Sequence, residues 1–416
     1  MTHDEILRLL KQEVIPAIGC TEPVAVALCV ARAKELLGTR PQHIRVVLSK
    51  NIYKNAMAVG IPNTGMTGLP IAIALGATIG KSELKLEVLR DTTRQAVDEA
   101  KHYLDELALD ITVDPDAPDI LYIHTEAEAD GKKAEATIKG GHTCFVADKN
   151  ASSIAAEESK ENSDLTLRQV FDYAQTVDLE DVQFLLDGAK MNMSAAERSF
   201  MNNYGHGLGR MLHSGQCASI FGDTLFTKIL SYTSGACDAR MAGAMVPVMS
   251  NSGSGNQGIS CSVPVYMYAL EHNCFEEDTL RALTLSNLTE IYIKQSLGRL
   301  SALCGCVVAS TGSAVGITYL MGGGYEEITF AIKNMIANIS GMICDGAKPG
   351  CSLKVTSGVA TAILSASLAI QHSYAAADEG IVEEDIDRTI RNLTRIGREG
   401  MVQTDDLILD IMTHKE

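Results

Sequence analysis

The chain has 416 residues, of which 46% are hydrophobic and none is tryptophan, and its formal net charge is −17. That length exceeds what one core usually organises, so two domains are expected. The acidic balance, without any Lys/Arg-rich block, excludes nucleic-acid and anionic-membrane binding as expected functions, since both need a clustered basic face.

Residues 4–15 place Ile6, Leu9, Leu10 and Val14 on one helical face. Their acids and bases fall at helical intervals, without the basic start and apolar run of a secretory signal, so a cytoplasmic location is expected. Gly19-Cys20-Thr21-Glu22-Pro23 breaks the first pattern and opens a buried helix from Val24 to Leu37. Cys20 therefore stands at a helix start, where the dipole would favour its thiolate; the alternative is a small buried residue at a turn. His43 to Ser49 alternates as a strand, and further strands are expected at Leu109–Val113, Ile120–Thr125, Lys133–Ile138 and Thr143–Ala147. Helices are expected at Leu69–Ile79 and Asp91–Leu107. Lys54, Asn55 and Thr67 are weaker candidates for contacts to a small substrate, and His142 follows two glycines at a strand start.

Asp148 to Thr166 is polar and reads as a linker. The remainder is helical in pattern: Leu167–Gln175, Asp181–Asn203, Gly209–Tyr232, Gly258–Glu271, Asp278–Leu297, Ser301–Met321, Tyr325–Ala337, Val355–Gln371 and Ile386–Met401. The expected fold class is thus α+β, a mostly helical domain from residues 1–40 and 159–416 interrupted by a smaller α+β insert at 41–158. The uncharged span Met241 to Leu270 is long enough to cross a bilayer, but its centre, Ser250 to Gly258, is too polar and glycine-rich, so no membrane association is expected.

That centre holds the loop Gly253-Ser254-Gly255-Asn256-Gln257-Gly258, which fits the dinucleotide pattern Gly-x-Gly-x-x-Gly. No parallel strand series surrounds it, so the better reading is an anion pocket of backbone N–H groups at a helix start, with Ser252, Ser254, Asn256 and Gln257 as side-chain donors. Asp238 and Arg240 precede the loop, and Asp238 is the expected ion-pair partner of the arginine. Eleven cysteines in a reducing compartment are core residues, ligands or catalytic thiols rather than a disulfide framework. Cys344 and Cys351 flank a segment whose Asp-Gly and Pro-Gly turns fold it back on itself, and Cys304 lies in an uncharged stretch upstream. The spacing lacks the Cys-x-x-Cys pair of zinc ribbons and ferredoxins, and buried inert thiols remain an alternative.

Together the signatures Gly19-Cys-Thr-Glu-Pro23, Asp238-Ala-Arg240-Met-Ala-Gly243, Ser250 to Ile259, Leu300-Ser-Ala-Leu-Cys304 and Met342-Ile-Cys344-Asp-Gly346 resemble the bacterial L-cysteine desulfidase family, related to the iron–sulfur L-serine dehydratases. The resemblance runs over nearly the whole chain in the same motif order. It implies a [4Fe-4S] enzyme, free of pyridoxal phosphate, that converts L-cysteine to pyruvate, ammonia and hydrogen sulfide. Carried over residue by residue, it implies Cys304, Cys344 and Cys351 as cluster ligands, with Cys306 left in the core, and Cys20 as a cap on the open iron or as the base at the α-carbon. It implies that His142 lies near the substrate cleft. Lys348 and Lys354 are expected to balance charge rather than form a Schiff base. A serine dehydratase, a non-catalytic iron–sulfur or thiol sensor and a dinucleotide oxidoreductase are the rival readings, and a homodimer is a possible assembly.

Overall fold

The structure is a computed structural model that describes residues 1–146, 165–215, 218–298 and 300–414. Two large apolar clusters organise it. One is built on a four-stranded sheet: β2 (His43–Ser49) lies parallel to β3 (Ala108–Asp114) and antiparallel to β4 (Tyr122–Ala129), which pairs with β5 (Lys132–Lys139). Strand order is β3-β2-β4-β5. Along β4 every second residue is buried, so Ile123, Thr125, Ala127 and Ala129 form an inner face. Helix α2 (Thr21–Leu37) covers β4 and β5, and α4 (Leu69–Thr78) packs on α2. Both helices are buried nearly all round, as their Ala/Val/Leu/Ile content requires. The α2 helix thus shares its core with the sheet.

The second cluster belongs to the helices. Its centre is α13 (Gly305–Leu320), buried from Cys306 to Thr318 and touching α11 (Gly255–Glu271), α12 (Glu276–Leu297), α14 (Tyr325–Ile339) and α15 (Cys351–Ile370). Small residues allow this crowding, and the buried hydroxyls of Thr311, Ser313 and Thr318 turn back onto carbonyls of their own helix. A short ribbon, β1 (Pro16–Ile18) against β6 (Pro247–Met249), ties the chain start to the segment before α11. By length and composition α15 could cross a membrane. It packs against α13, α14 and α10 (Leu225–Met241).

The α+β architecture, mostly helical with one small sheet, matches the expectation from sequence. Three local readings differ. The continuous helix expected at 209–232 is broken into α8 (Leu208–His213), α9 (Ala218–Phe221) and α10, because Gly222 adopts φ +71° and Thr224 caps a new start. The strand expected at 143–147 makes a single bridge, Ile138 to Phe145, within its described part. Past α16 (Ile386–Arg395) a π turn at Ile396–Gly400 leads into an unforeseen helix, α17 (Val402–Thr413). The linker expected at 148–166 lies almost wholly outside the described residues.

The contact between α4 and α2 depends on Gly76, where an added Cβ would stand 2.4 Å from the Ala27 carbonyl oxygen. Gly76→Ala is expected to lower stability by about 1–3 kcal/mol, the usual cost of overpacking, whereas Gly341→Ala, with nothing within 4 Å, is expected to be near neutral. Urea unfolding midpoints of the two variants measure this difference.

Candidate active site

Cys304 is the N-cap of α13, Cys351 is the first residue of α15, and Cys344 sits in the loop between α14 and α15. Two backbone hydrogen bonds join the first and third of these segments: Cys304 N–H donates to Met342 O (2.9 Å), and Cys344 N–H donates to Ala302 O (2.7 Å). The Cys351 N–H closes the turn on Lys348 O at 2.9 Å. Cys237, on α10, and Cys306, in the first turn of α13, interact electrostatically with this group. Five thiols therefore converge where the sequence had indicated three ligands.

The thiols differ in character. The Cys304 thiol is lowered to about 7, chiefly because Cys306 donates its S–H to it, against the effect of burial. Cys306 is raised correspondingly by making that bond and by burial. Burial pushes Cys344 up, and Cys351 to about 11. Three lysines surround them. Lys354 donates to Ile343 O at 2.7 Å and pairs with Asp345, Lys348 pairs with Asp345 at 2.5 Å, and Lys54 reaches Cys344 O at 3.4 Å while pairing with Asp405 of α17. Although burial opposes it, the hydrogen bonds from Lys348 and Lys354 hold Asp345 down to about 2. These cations favour thiolates nearby.

Among the described residues, three metal-ligating atoms all within 4.8 Å of one another occur at Glu326, Glu327 and His372, on the surface, and not among the cysteines. Cys304, Cys344 and Cys351 would be the residues to hold a thiolate-ligated group. Soft thiolate donors and flanking cations also suit an iron–sulfur cluster.

The chain start meets this region through the first turn of α2. Cys20 is 2% exposed and donates its S–H to Glu22 Oε2 at 3.0 Å. Burial and the Glu22 carboxylate push its pKa well above the ordinary thiol value, with Arg240 opposing. The dipole-activated thiolate expected from sequence is thus overridden, and Cys20 rests as a thiol. Glu22, which the sequence reading treated only as part of a helix cap, also accepts from Asn55 Nδ2 at 3.3 Å, and Thr21 Oγ1 donates to Gly253 O at 2.8 Å. Lys54 and Asn55 share α3 (Lys50–Ala56), so this short helix touches both Cys344 and Glu22. Thr67 is exposed, bridged to Gly60, and His142 is buried in the turn after β5.

The loop before α11 is strained at Ser252, a non-glycine residue at φ +47°. Its hydroxyl donates to Asn251 Oδ1 (2.9 Å) and lies 3.4 Å from Glu290 Oε2, so it faces the protein interior. Ser254 pairs with Asn251 through the backbone, and Gly255 to Gln257 open the helix. Among the described residues Asn256 Oδ1 and Gln257 Oε1 are buried without hydrogen-bond partners, and a Cβ on Gly305 would stand 2.6 Å from Gln257 Oε1. This places Gln257 beside Cys304. The strand before the loop is three residues long and its pairing is antiparallel, so the Gly-x-Gly-x-x-Gly match lacks the βαβ setting of a dinucleotide site. The expected Asp238–Arg240 pair is also absent: Asp238 instead accepts from Gly209 N–H at 3.0 Å.

Residues 83–410 match the family model described as serine dehydratase alpha chain. The chain belongs to that family. Its relatives include UPF0597 proteins of Bacteroides fragilis (59% identical, 100% of both chains covered), Porphyromonas gingivalis (50%; 100% of this chain, 99% of the relative) and Aeromonas hydrophila (40%; 99% and 96%). The serine dehydratase match contains all five converging thiols and the Gly253–Gly258 loop. Cys20, Glu22, Lys54 and Asn55 precede it, and those residues are covered by the full-length relatives.

Beneath the loop, burial raises the Glu290 carboxyl to about 8, with Lys294 opposing. A carboxyl raised in the fold holds its proton where the unfolded chain has released it, so stability falls as pH rises from the unfolded value, about 4.3, through 8. Glu290→Gln removes that dependence. Between pH 5 and pH 8 the melting temperature of the variant is expected to fall less than that of the wild type, which thermal unfolding at the two pH values tests.

Proposed function

We propose that the chain is a [4Fe-4S]-dependent L-cysteine desulfidase, catalysing β-elimination of L-cysteine to pyruvate, ammonia and hydrogen sulfide. The observation that carries this reading is the meeting of the thiol group around Cys304, Cys344 and Cys351 with a buried acid–base pair, Cys20 and Glu22, across the Gly253–Gly258 loop. Cys304, Cys344 and Cys351 would hold the cluster, which when bound supplies a Lewis-acidic iron suited to a sulfur leaving group.

The chain's own residues would do the rest. Backbone N–H groups at the start of α11 hold the substrate carboxylate and stabilise charge that develops once the α-proton is removed. The hydrogen bond from the Cys20 S–H to Glu22 Oε2 orients that sulfur, whose thiolate, once formed, would serve as the base at the α-carbon. The Cα–H pair forms the Cα–Cβ double bond while the Cβ–S bond breaks, its electrons leaving on sulfur. The 2-aminoacrylate tautomerises to an imine, and water hydrolyses it to pyruvate and ammonia. Pyridoxal phosphate is not part of the proposal; the engagement of Lys348 and Lys354 with Asp345 supports this. The reducing cytoplasm suits these unpaired thiols. The serine dehydratase match keeps L-serine as the second candidate substrate.

Anaerobic reconstitution with iron and sulfide, followed by paired assays, tests the reading. L-Cysteine is expected to give hydrogen sulfide and pyruvate in equal amounts, and Cys344→Ala to lose both products and cluster absorbance. Cys20→Ala is expected to keep its iron yet lose turnover by roughly 10²–10⁴-fold, the usual contribution of a positioned base. A reconstituted wild type that yields no sulfide but deaminates L-serine replaces the first substrate with the second. Failure to take up iron overturns the ligand assignment.

A further inference from the structure

Among the described residues Arg240 has no ion-pair partner. It is 2% exposed, on the last turn of α10, and among the described residues its guanidinium makes neither a hydrogen bond nor an ion pair. Its sequence neighbour Asp238 is turned away to Gly209, so the obvious partner is spent elsewhere. A buried cation without a partner is strongly unfavourable, and folds retain one where an anion is to be supplied. The position of this cation is specific. A Cβ on Gly255 would stand 2.3 Å from Arg240 Nε, so the guanidinium lies against the first residue of α11 and the glycine leaves it room. Its charge acts on both Cys20 and Cys237, so it is within electrostatic reach of each. The α11 helix is 17 residues long, and its N-terminus adds backbone N–H groups and the positive end of the dipole. Two buried oxygens without partners, Asn256 Oδ1 and Gln257 Oε1, stand in the same first turn. One unpaired cation beside unsatisfied acceptors suits a zwitterion.

We infer that Arg240 is the receptor for the carboxylate of an amino-acid substrate, pairing with it against the start of α11, while Asn256 and Gln257 offer acceptors to the substrate ammonium. This deepens the proposed function and rests on it for the identity of the amino acid, but not for the carboxylate. A planar guanidinium takes a carboxylate through two parallel N–H bonds, and a lysine at this position would keep the charge and lose the fork.

The test uses L-alanine, an amino acid without a leaving group, and L-alaninamide, which lacks the carboxylate charge. L-Alanine is expected to raise the melting temperature of the wild type saturably, beyond sodium chloride at equal ionic strength, and L-alaninamide is not. Arg240→Gln is expected to lose that rise while melting no lower than wild type without ligand, and Arg240→Lys to keep a weaker rise. In the reconstituted enzyme, Arg240→Gln is expected to raise the KM for L-cysteine by roughly 100-fold while kcat changes by less than about 10-fold. Equal stabilisation of Arg240→Gln and wild type by L-alanine, or none of wild type, overturns the assignment. The two readings also fail separately. If L-alanine discriminates wild type from Arg240→Gln while L-cysteine yields no sulfide, the receptor stands and the desulfidase falls. If Arg240→Gln makes sulfide with an unchanged KM, the reverse holds.

Discussion

Two hydrogen bonds between backbones about forty residues apart, Cys304 to Met342 and Cys344 to Ala302, are the constraint on which the site depends. They fix the entry of α13 to the exit of α14, so one sulfur rides at the start of a buried helix and another on the loop that leads into α15. Neither cysteine could be placed by its own helix, since one is an N-cap and the other lies outside any element. The short turn from Lys348 to Cys351 adds the third. Backbone bonds suit this task because they persist whatever the protonation state of the thiols.

Around that frame the electrostatics are local and opposite in sign to the whole. The chain carries −17 overall, yet Lys54, Lys348 and Lys354 gather at the thiols, with Asp345 and Asp405 as tethers. Arg240 stands on the other side. Positive charge is thus concentrated beside the thiols in a chain that is acidic as a whole.

Much of the fold was legible in the sequence because it rests on local patterns. The amphipathic first helix, the β-branched run from His43 to Ser49 and the long apolar helices all declare their periodicity, and the observed elements fall within a few residues of them. The misreadings arose where punctuation was weak: Gly222 and Thr224 divide a run that reads as one helix, and the π turn after Arg395 hides the start of α17. The site was legible only in part. Cysteines and the glycine loop can be picked out by residue type, but Glu22 looks like any first-turn acid, and Cys237 like any core thiol. Thr21 meets Gly253 across 232 residues of chain, a contact no window could contain. The pairing of Arg240 was misjudged because adjacency on a helix suggested Asp238, whereas the side chain of that aspartate is drawn to the start of α8.

The placement of α2 has a mechanical consequence. Its body is buried with the sheet, while its first turn carries Cys20 and Glu22 to the helical part, where the other thiols are anchored. Cys20 packs in the same apolar cluster as Cys304 and Cys306 while the helix it opens packs with the sheet, so α2 is the strut that joins the two cores. A shift of the sheet against the helices would therefore load the first turn of that strut, where Cys20 and Glu22 stand.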